Sequence, residues 1–337
     1  MQTRLPLGAL ALTACLLAAP TIASAQAIPF TEITKALNSV HQFSEVALSP
    51  DGRYIAYVES AGDRSTVRLG VAATPATAMA MPCITPHCDT NDIAWSPDSA
   101  RLAYVATDEK GQGQIAVSAV RERGGQIIAH LTHAKGPVST PRWSPDGKWI
   151  AFLYSPGAPK APSPLNPSTP DAGVVGGKIY EQRLAVIPSD GGAIKLLGPA
   201  DLNVYEYDWA PDSKKFAATA AHGNGDANWW IAELYTIDAA SGAATSIHKP
   251  ELQIASPRWS GDGKRIAYIG GIMSDEAITG GDVYVVPAAG GEATNVTPEL
   301  KASVTTIAWN GSPNRILATE LAGDRMLIAS IDADAKM

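Results

Sequence analysis

The stretch RWSPDGKWIAFLY, residues 142–154, decides the fold. It holds a tight turn with strand-forming residues on both sides. In Ser144-Pro145-Asp146-Gly147, Pro presets φ at the first corner and Asp can bond back to the backbone. Gly takes the left-handed position that closes a hairpin. Near-copies recur as ALSPDGRYIAYVE, AWSPDSARLAYVA, DWAPDSKKFAATA, RWSGDGKRIAYIG and, more diverged, AWNGSPNRILATE. Their turns centre on Pro50, Pro97, Pro145, Pro211, Gly261 and Gly311, at spacings of 47, 48, 66, 50 and 50. Ser replaces Gly at Ser99 and Ser213, where a left-handed residue costs about 1 kcal/mol.

The rest of each unit repeats as well. An alternating β-rich run follows the turn, such as Tyr54-Ile55-Ala56-Tyr57-Val58. A third run (QRLAVIPS, AELYTIDA, GDVYVVPA), a Gly-rich turn and a short fourth run (AIKLLG, AATSIH, EATNVT) complete it. Four antiparallel strands every ~48 residues is the signature of a β-propeller blade. The reading is therefore all-β: a propeller of about six four-stranded blades. The one long interval contains SPGAPKAPSPLNPSTPDAGVVGG, residues 155–177. This Pro/Ser/Gly-rich insertion lacks the apolar content to fold alone and reads as a surface loop. Trp95, Trp143, Trp209, Trp259 and Trp309 each stand just before a turn. They are expected to fill the wedge between adjacent blades and to bond a strand edge through the indole N–H.

Composition excludes several functions. Charged residues make up only 18% of the chain and the formal charge is −7. With no Lys/Arg block, nucleic acid and anionic membranes are poor candidate partners. Residues 1–25 read as a signal peptide: Arg4, an apolar stretch, and Ala23-Ser24-Ala25 before Gln26. The competing reading is a lipoprotein box, LTAC, with Cys15 lipidated. No later stretch approaches the ~20 apolar residues of a membrane span. Either way the chain is expected to be exported, periplasmic or secreted. Residues 26–43 form an N-terminal lead-in expected to be helical, and 44–337 the propeller.

Cys83 and Cys88 remain after cleavage, and an oxidising compartment favours a disulfide between them. The alternatives are free thiols or a metal site with His87 and Asp89. The metal reading is disfavoured because four ligands within seven residues converge poorly on a tetrahedron. No catalytic, cofactor or metal residue is assigned. G-x-S-x-G, H-E-x-x-H and the phosphate-binding G-x-x-x-x-G-K-[ST] are all missing from the 337 residues. His130 and His133 read as structural. Asn295-Val296-Thr297 fits a glycosylation acceptor, a common chance match. Asp275 and Glu276, on a long hairpin, and Trp229 and Trp230, off the tryptophan register, are the candidate ligand contacts.

The repeated WSPDG units resemble two groups of exported propellers: TolB-like periplasmic propellers and the N-terminal propeller of S9 prolyl-oligopeptidase-family serine peptidases. Longer stretches look like the S9 propeller. These are IPFTEITKALNSVHQFSEVALSPDGRYIAYV, GVVGGKIYEQRLAVIPSDGG, NWWIAELYTID and YIGGIMSDEAITGGDVYVVPAAGGEATNVTPE. In that family the propeller filters substrate for a following hydrolase domain, so the resemblance implies a non-catalytic gating module. The alternative is a self-standing propeller that binds a peptide or protein. The repeat also predicts its own last blade. Trp to Gly-rich turn takes 29 to 32 residues, and the same step from Trp309 passes Met337. The last unit is expected to have three strands. Phe30, Ile33 and Leu37 follow helical spacing, so residues 28–42 are not expected to supply the fourth. The ring is expected to be open and prone to associate, its oligomeric state not fixed by sequence.

Overall fold

The computed structural model describes residues 29–334 apart from 63, 84, 86, 87, 122, 123, 162–177, 224 and 274–278. Two units are distinguished, one ending at Val40 and one spanning His41–Met337. The first contains a helix, α1 (Phe30–Asn38). Thr34 lies within it, and its hydroxyl donates back to the Phe30 carbonyl at 3.1 Å. The lead-in is shorter than the sequence reading allowed, because the first strand begins at His41.

The second unit is a six-bladed propeller, each blade a simple antiparallel meander. Blade 1 comprises β1 (His41–Leu48), β2 (Tyr54–Ala61), β3 (Arg64–Val71) and β4 (Met79–Ala80). Blade 2 comprises β5 (Thr90–Trp95), β6 (Arg101–Thr107), β7 (Gly113–Arg121) and β8 (Gly124–His130). Blade 3 comprises β9 (Val138–Trp143), β10 (Trp149–Tyr154), β11 (Arg183–Pro188) and β12 (Lys195–Leu197). Blade 4 comprises β13 (Leu202–Trp209), β14 (Lys215–His222), β15 (Glu233–Asp238) and β16 (Ala244–His248). Blade 5 comprises β17 (Gln253–Trp259), β18 (Arg265–Gly271), β19 (Asp282–Pro287) and β20 (Thr294–Asn295). Blade 6 has three strands among the described residues: β21 (Ser303–Trp309), β22 (Arg315–Ala322) and β23 (Arg325–Asp332).

The repeated turn is a hydrogen-bonded unit. In blade 1 the Ser49 hydroxyl donates to Asp51 at 2.6 Å and accepts the Tyr54 N–H at 3.0 Å, while Asp51 accepts the Arg53 N–H at 3.0 Å. Ser96/Asp98, Ser144/Asp146 and Ser260/Asp262 repeat this pattern. These four serines are buried, so the aspartate satisfies a hydroxyl that water cannot reach. Gly52, Gly147 and Gly263 all hold φ of 71°, the left-handed geometry the turn requires. Ser99 and Ser213 hold φ of 61° at the same position. Each is compensated by a bond across a blade boundary. The Ser99 hydroxyl accepts the Asp51 N–H at 3.1 Å, and the Ser213 hydroxyl accepts the Asp146 N–H at 3.0 Å.

Four tryptophans tie each blade to the one before it. The indole N–H of Trp95, Trp143, Trp209 and Trp309 donates to the carbonyl of Ala47, Ala94, Arg142 and Arg258, at 3.0 to 3.2 Å. The acceptor is always the residue before the corresponding position of the previous blade. Trp259 is buried in the same place, but its indole N–H has no partner.

Burial separates the terminal blades from the central four. The second strands of blades 2 to 5 (β6, β10, β14 and β18) are buried almost continuously, on both faces. Those of blades 1 and 6 alternate. Ala56 and Val58 of β2, and Ile316, Ala318 and Glu320 of β22, are buried, while their neighbours are not. A central blade packs on two sides, and a terminal blade on one.

Candidate functional site

The first strand of each blade carries an irregularity three or four residues before the tryptophan position. Register slips occur between Ser44 and Ala47 in β1 and between Asn91 and Ala94 in β5, and corresponding slips occur in β9, β13, β17 and β21. The extra residue is left-handed at Glu45, Asp92, Thr140 and Ser256, with φ of 48 to 55°. Such a bulge re-aims a side chain, and here it joins one inner strand to the next. Glu45 accepts the Ile93 N–H at 3.1 Å, Asp92 accepts the Thr140 N–H at 2.7 Å, and Glu206 accepts the Ser256 N–H at 2.7 Å. The blade 3–4 boundary uses a phenol instead: the Tyr207 hydroxyl donates to the Thr140 carbonyl at 2.5 Å.

These inner strands line a cavity of about 700 Å³. Its wall includes Glu45, Asp92, Thr140, Arg142 and Asp208, with Trp95, Trp143 and Trp209. Charge is distributed unevenly around it. The residue just before the tryptophan position is Ala in blades 1, 2 and 6, but Arg142, Asp208 and Arg258 in blades 3, 4 and 5. Arg142 and Asp208 pair at 3.4 Å, and Asp208 also accepts the backbone N–H of Trp259 at 3.0 Å. Burial pushes the carboxyls of Glu206 and Asp208 above their usual range, against the opposing pull of Arg142 and Arg258. Burial raises Asp92 too, and raises Glu45 together with the like charge of Asp92. It lowers the Arg258 guanidinium, with Arg142 adding to the effect. Such an arrangement can hold a polar or charged ligand group by ion pairing and hydrogen bonds.

The two tryptophans singled out from sequence lie elsewhere. Trp229 and Trp230 sit in a 3₁₀ helix, Gly225–Ile231. Trp229 packs against the core shared by blades 5 and 6. Trp230 is 57% exposed and lines a groove of about 350 Å³ with Ile231, Leu252 and Ile272. Asp275 and Glu276 fall outside the described residues. Cys83 and Cys88 are paired, with Cα atoms 5.9 Å apart. Among the described residues no cluster of three or more His, Cys, Asp or Glu side chains could hold a metal. His130 Nδ1 is buried without a partner. Asn295 is engaged internally, its amide donating to Asp282 and its carbonyl accepting the Thr297 N–H, both at 2.8 Å. The cavity residues carry no signal within a single unit, because the turn and the tryptophan dominate each repeat. Their signal lies one and three positions before the tryptophan, where charged residues stand in some units and not in others.

No protein-family model matches the chain. A curated relative, the uncharacterized peptidase YuxL of Bacillus subtilis (strain 168), is 21% identical over 238 residues. That match covers 60% of this chain and 33% of YuxL, so the chain spans about a third of that relative's length. Among solved structures, the acylaminoacyl peptidase of Pyrococcus horikoshii matches with a TM-score of 0.62 at 12% identity, over 90% of this chain and 47% of that one. A protein assigned as TolB from Agrobacterium tumefaciens matches with a TM-score of 0.50 at 15% identity, over 76% of this chain and 80% of that one. The chain shares its fold with the S9-peptidase and TolB propellers. At these identities the likeness establishes architecture, and function has to be argued from the site. No helix among the described residues is long and apolar enough to cross a membrane.

Proposed function

We propose that this chain is a non-catalytic, exported propeller that admits and holds peptides at its central cavity, as the gating propeller of an S9 peptidase would. The observation that carries this reading is the charged cavity wall. Glu45, Asp92, Arg142 and Asp208 converge on about 700 Å³ of space, a size suited to a few residues of extended chain. The fuller overlap with the acylaminoacyl peptidase, 90% of this chain against 76% for TolB, supports the S9 side of the comparison. The apolar segment before Gln26 supports export.

The test is calorimetric titration of the chain from Gln26 onward with a panel of short synthetic peptides. Binding weakened at least tenfold by Asp208→Asn or Arg142→Ala supports the reading. Absence of binding across the panel overturns it. A second reading, a self-standing propeller that binds a folded protein, is favoured by the 80% coverage of the TolB chain. Under that reading the cavity variants would leave partner binding unchanged.

A further inference from the structure

Each of the five internal blade boundaries buries two apolar faces, the trailing face of one blade and the leading face of the next. Among the described residues one copy of each face is uncovered. The bulge in β1 shifts the side-chain phase by one residue, and this places Phe43, Val46 and Leu48 on a common face. That face is opposite Ala56 and Val58, which pack toward blade 2. Phe43 is 62% exposed, Val46 64% and Leu48 59%, with Tyr57 in edge contact beside Phe43. Blade 6 mirrors this. The cross-strand pairs Thr319–Ile328 and Leu321–Met326 lie on the face opposite the buried Ile316, Ala318 and Glu320. Ile328 is 82% exposed and Met326 68%. Among the described residues no backbone hydrogen bond joins blade 6 to blade 1.

Large apolar residues concentrated on two flat sheet faces mark an interaction surface. The molecule itself supplies the occupant's shape, because its other trailing faces are covered by a leading face of the same repeat. We infer that the uncovered face of blade 6 receives blade 1 of a second copy of this chain, head to tail. The contact is heterologous, so each added copy offers a fresh face and growth continues. It lacks the indole bond that four of the five internal boundaries carry. Blade 1 has Leu48 where the next five blades have tryptophan, so no indole N–H reaches the new seam.

This inference does not depend on peptide binding. The test uses the chain from Gln26 onward in size-exclusion chromatography with light scattering. The average mass is expected to rise with concentration above that of one copy. Phe43→Glu with Val46→Glu blocks the leading face, and Met326→Glu with Ile328→Glu blocks the trailing face. Each double variant alone is expected to be monomeric. Mixed, the two variants are expected to form a one-to-one complex and stop, because one intact face of each kind remains. A wild-type chain monomeric at every concentration overturns the inference, as does association that persists in either variant alone. Circular dichroism and thermal melts of the variants distinguish loss of contact from loss of fold. A folded monomeric pair that forms no complex on mixing also refutes the head-to-tail arrangement.

Discussion

The indole N–H of Trp143 donates to the carbonyl of Ala94 at 3.1 Å, across the boundary between blades 2 and 3. The Arg101 guanidinium lies over the same ring, 4.4 Å from its centroid. Trp259 fills the equivalent position between blades 4 and 5 without a partner for its indole N–H. Replacing each with Phe separates the hydrogen bond from the packing. Trp143→Phe is expected to cost about 1–3 kcal/mol, partly because it leaves the Ala94 carbonyl unpaired. Trp259→Phe is expected to cost about 1 kcal/mol less. Urea denaturation of both variants checks this, and equal losses would show that the indole bond contributes nothing.

Ser99 and Ser213 stand where a glycine would be less strained, yet each hydroxyl bonds the turn of the preceding blade. Ser213→Gly should be nearly neutral, since about 1 kcal/mol of left-handed strain is relieved as a bond of about 1 kcal/mol is lost. Ser213→Ala keeps the strain and loses the bond, so it should destabilise by about 1 kcal/mol. A chemical-denaturation series gives the ranking, and an alanine variant as stable as wild type would refute it.

Stability should have an optimum in mild acid. The cavity carboxyls of Glu45, Asp92, Glu206 and Asp208 are raised in the folded state, chiefly by burial. The folded chain therefore binds protons that the unfolded chain does not, and their contribution is lost as pH rises through the folded-state values. The turn aspartates work in the opposite direction. The Ser49 hydroxyl holds Asp51 at about 2, and Ser96 and Ser260 lower Asp98 and Asp262. Their contribution is present above the unfolded value of about 3.9 and is lost as pH falls below it. The midpoint of thermal unfolding should rise from pH 7 toward about 5 and fall below about 4. Asp92→Asn should flatten the upper limb, and a midpoint that falls steadily from pH 7 to 5 would contradict the assignment.

The Cys83–Cys88 pairing closes a short loop between blades 1 and 2. Alkylation of the denatured, unreduced chain from Gln26 should find no free thiol. Replacing both cysteines with Ser should cost less than the ~3 kcal/mol of a 15-residue loop, because a smaller loop restricts the unfolded chain less. Two alkylated cysteines would refute the pairing.

With no G-x-S-x-G in its 337 residues, the chain should remain unlabelled by serine-directed phosphonates and should not cleave acylaminoacyl or dipeptidyl amides. Stoichiometric labelling of one serine, located by mass spectrometry, would overturn the non-catalytic reading.

The sequence alone determined the blade. Ser-Pro-Asp-Gly is a local signal, complete within a few residues, and a strand pattern repeated every ~48 residues can bury its faces only by stacking blades. Blade number and the place of each tryptophan were legible for that reason. The cavity was not legible, because a charged residue before a tryptophan reads the same whether it meets solvent or its counterpart on another blade. Arg142 and Asp208 are 66 positions apart and come within 3.4 Å only once the blades are arranged about a common axis. The uncovered faces were equally hidden in detail. Phe43, Val46 and Leu48 share a face only because the bulge at Glu45 shifts the alternation, and bulges are set by pairing with a neighbouring strand. Local chemistry specified the repeat, and the packing of one repeat on the next decided which side chains meet.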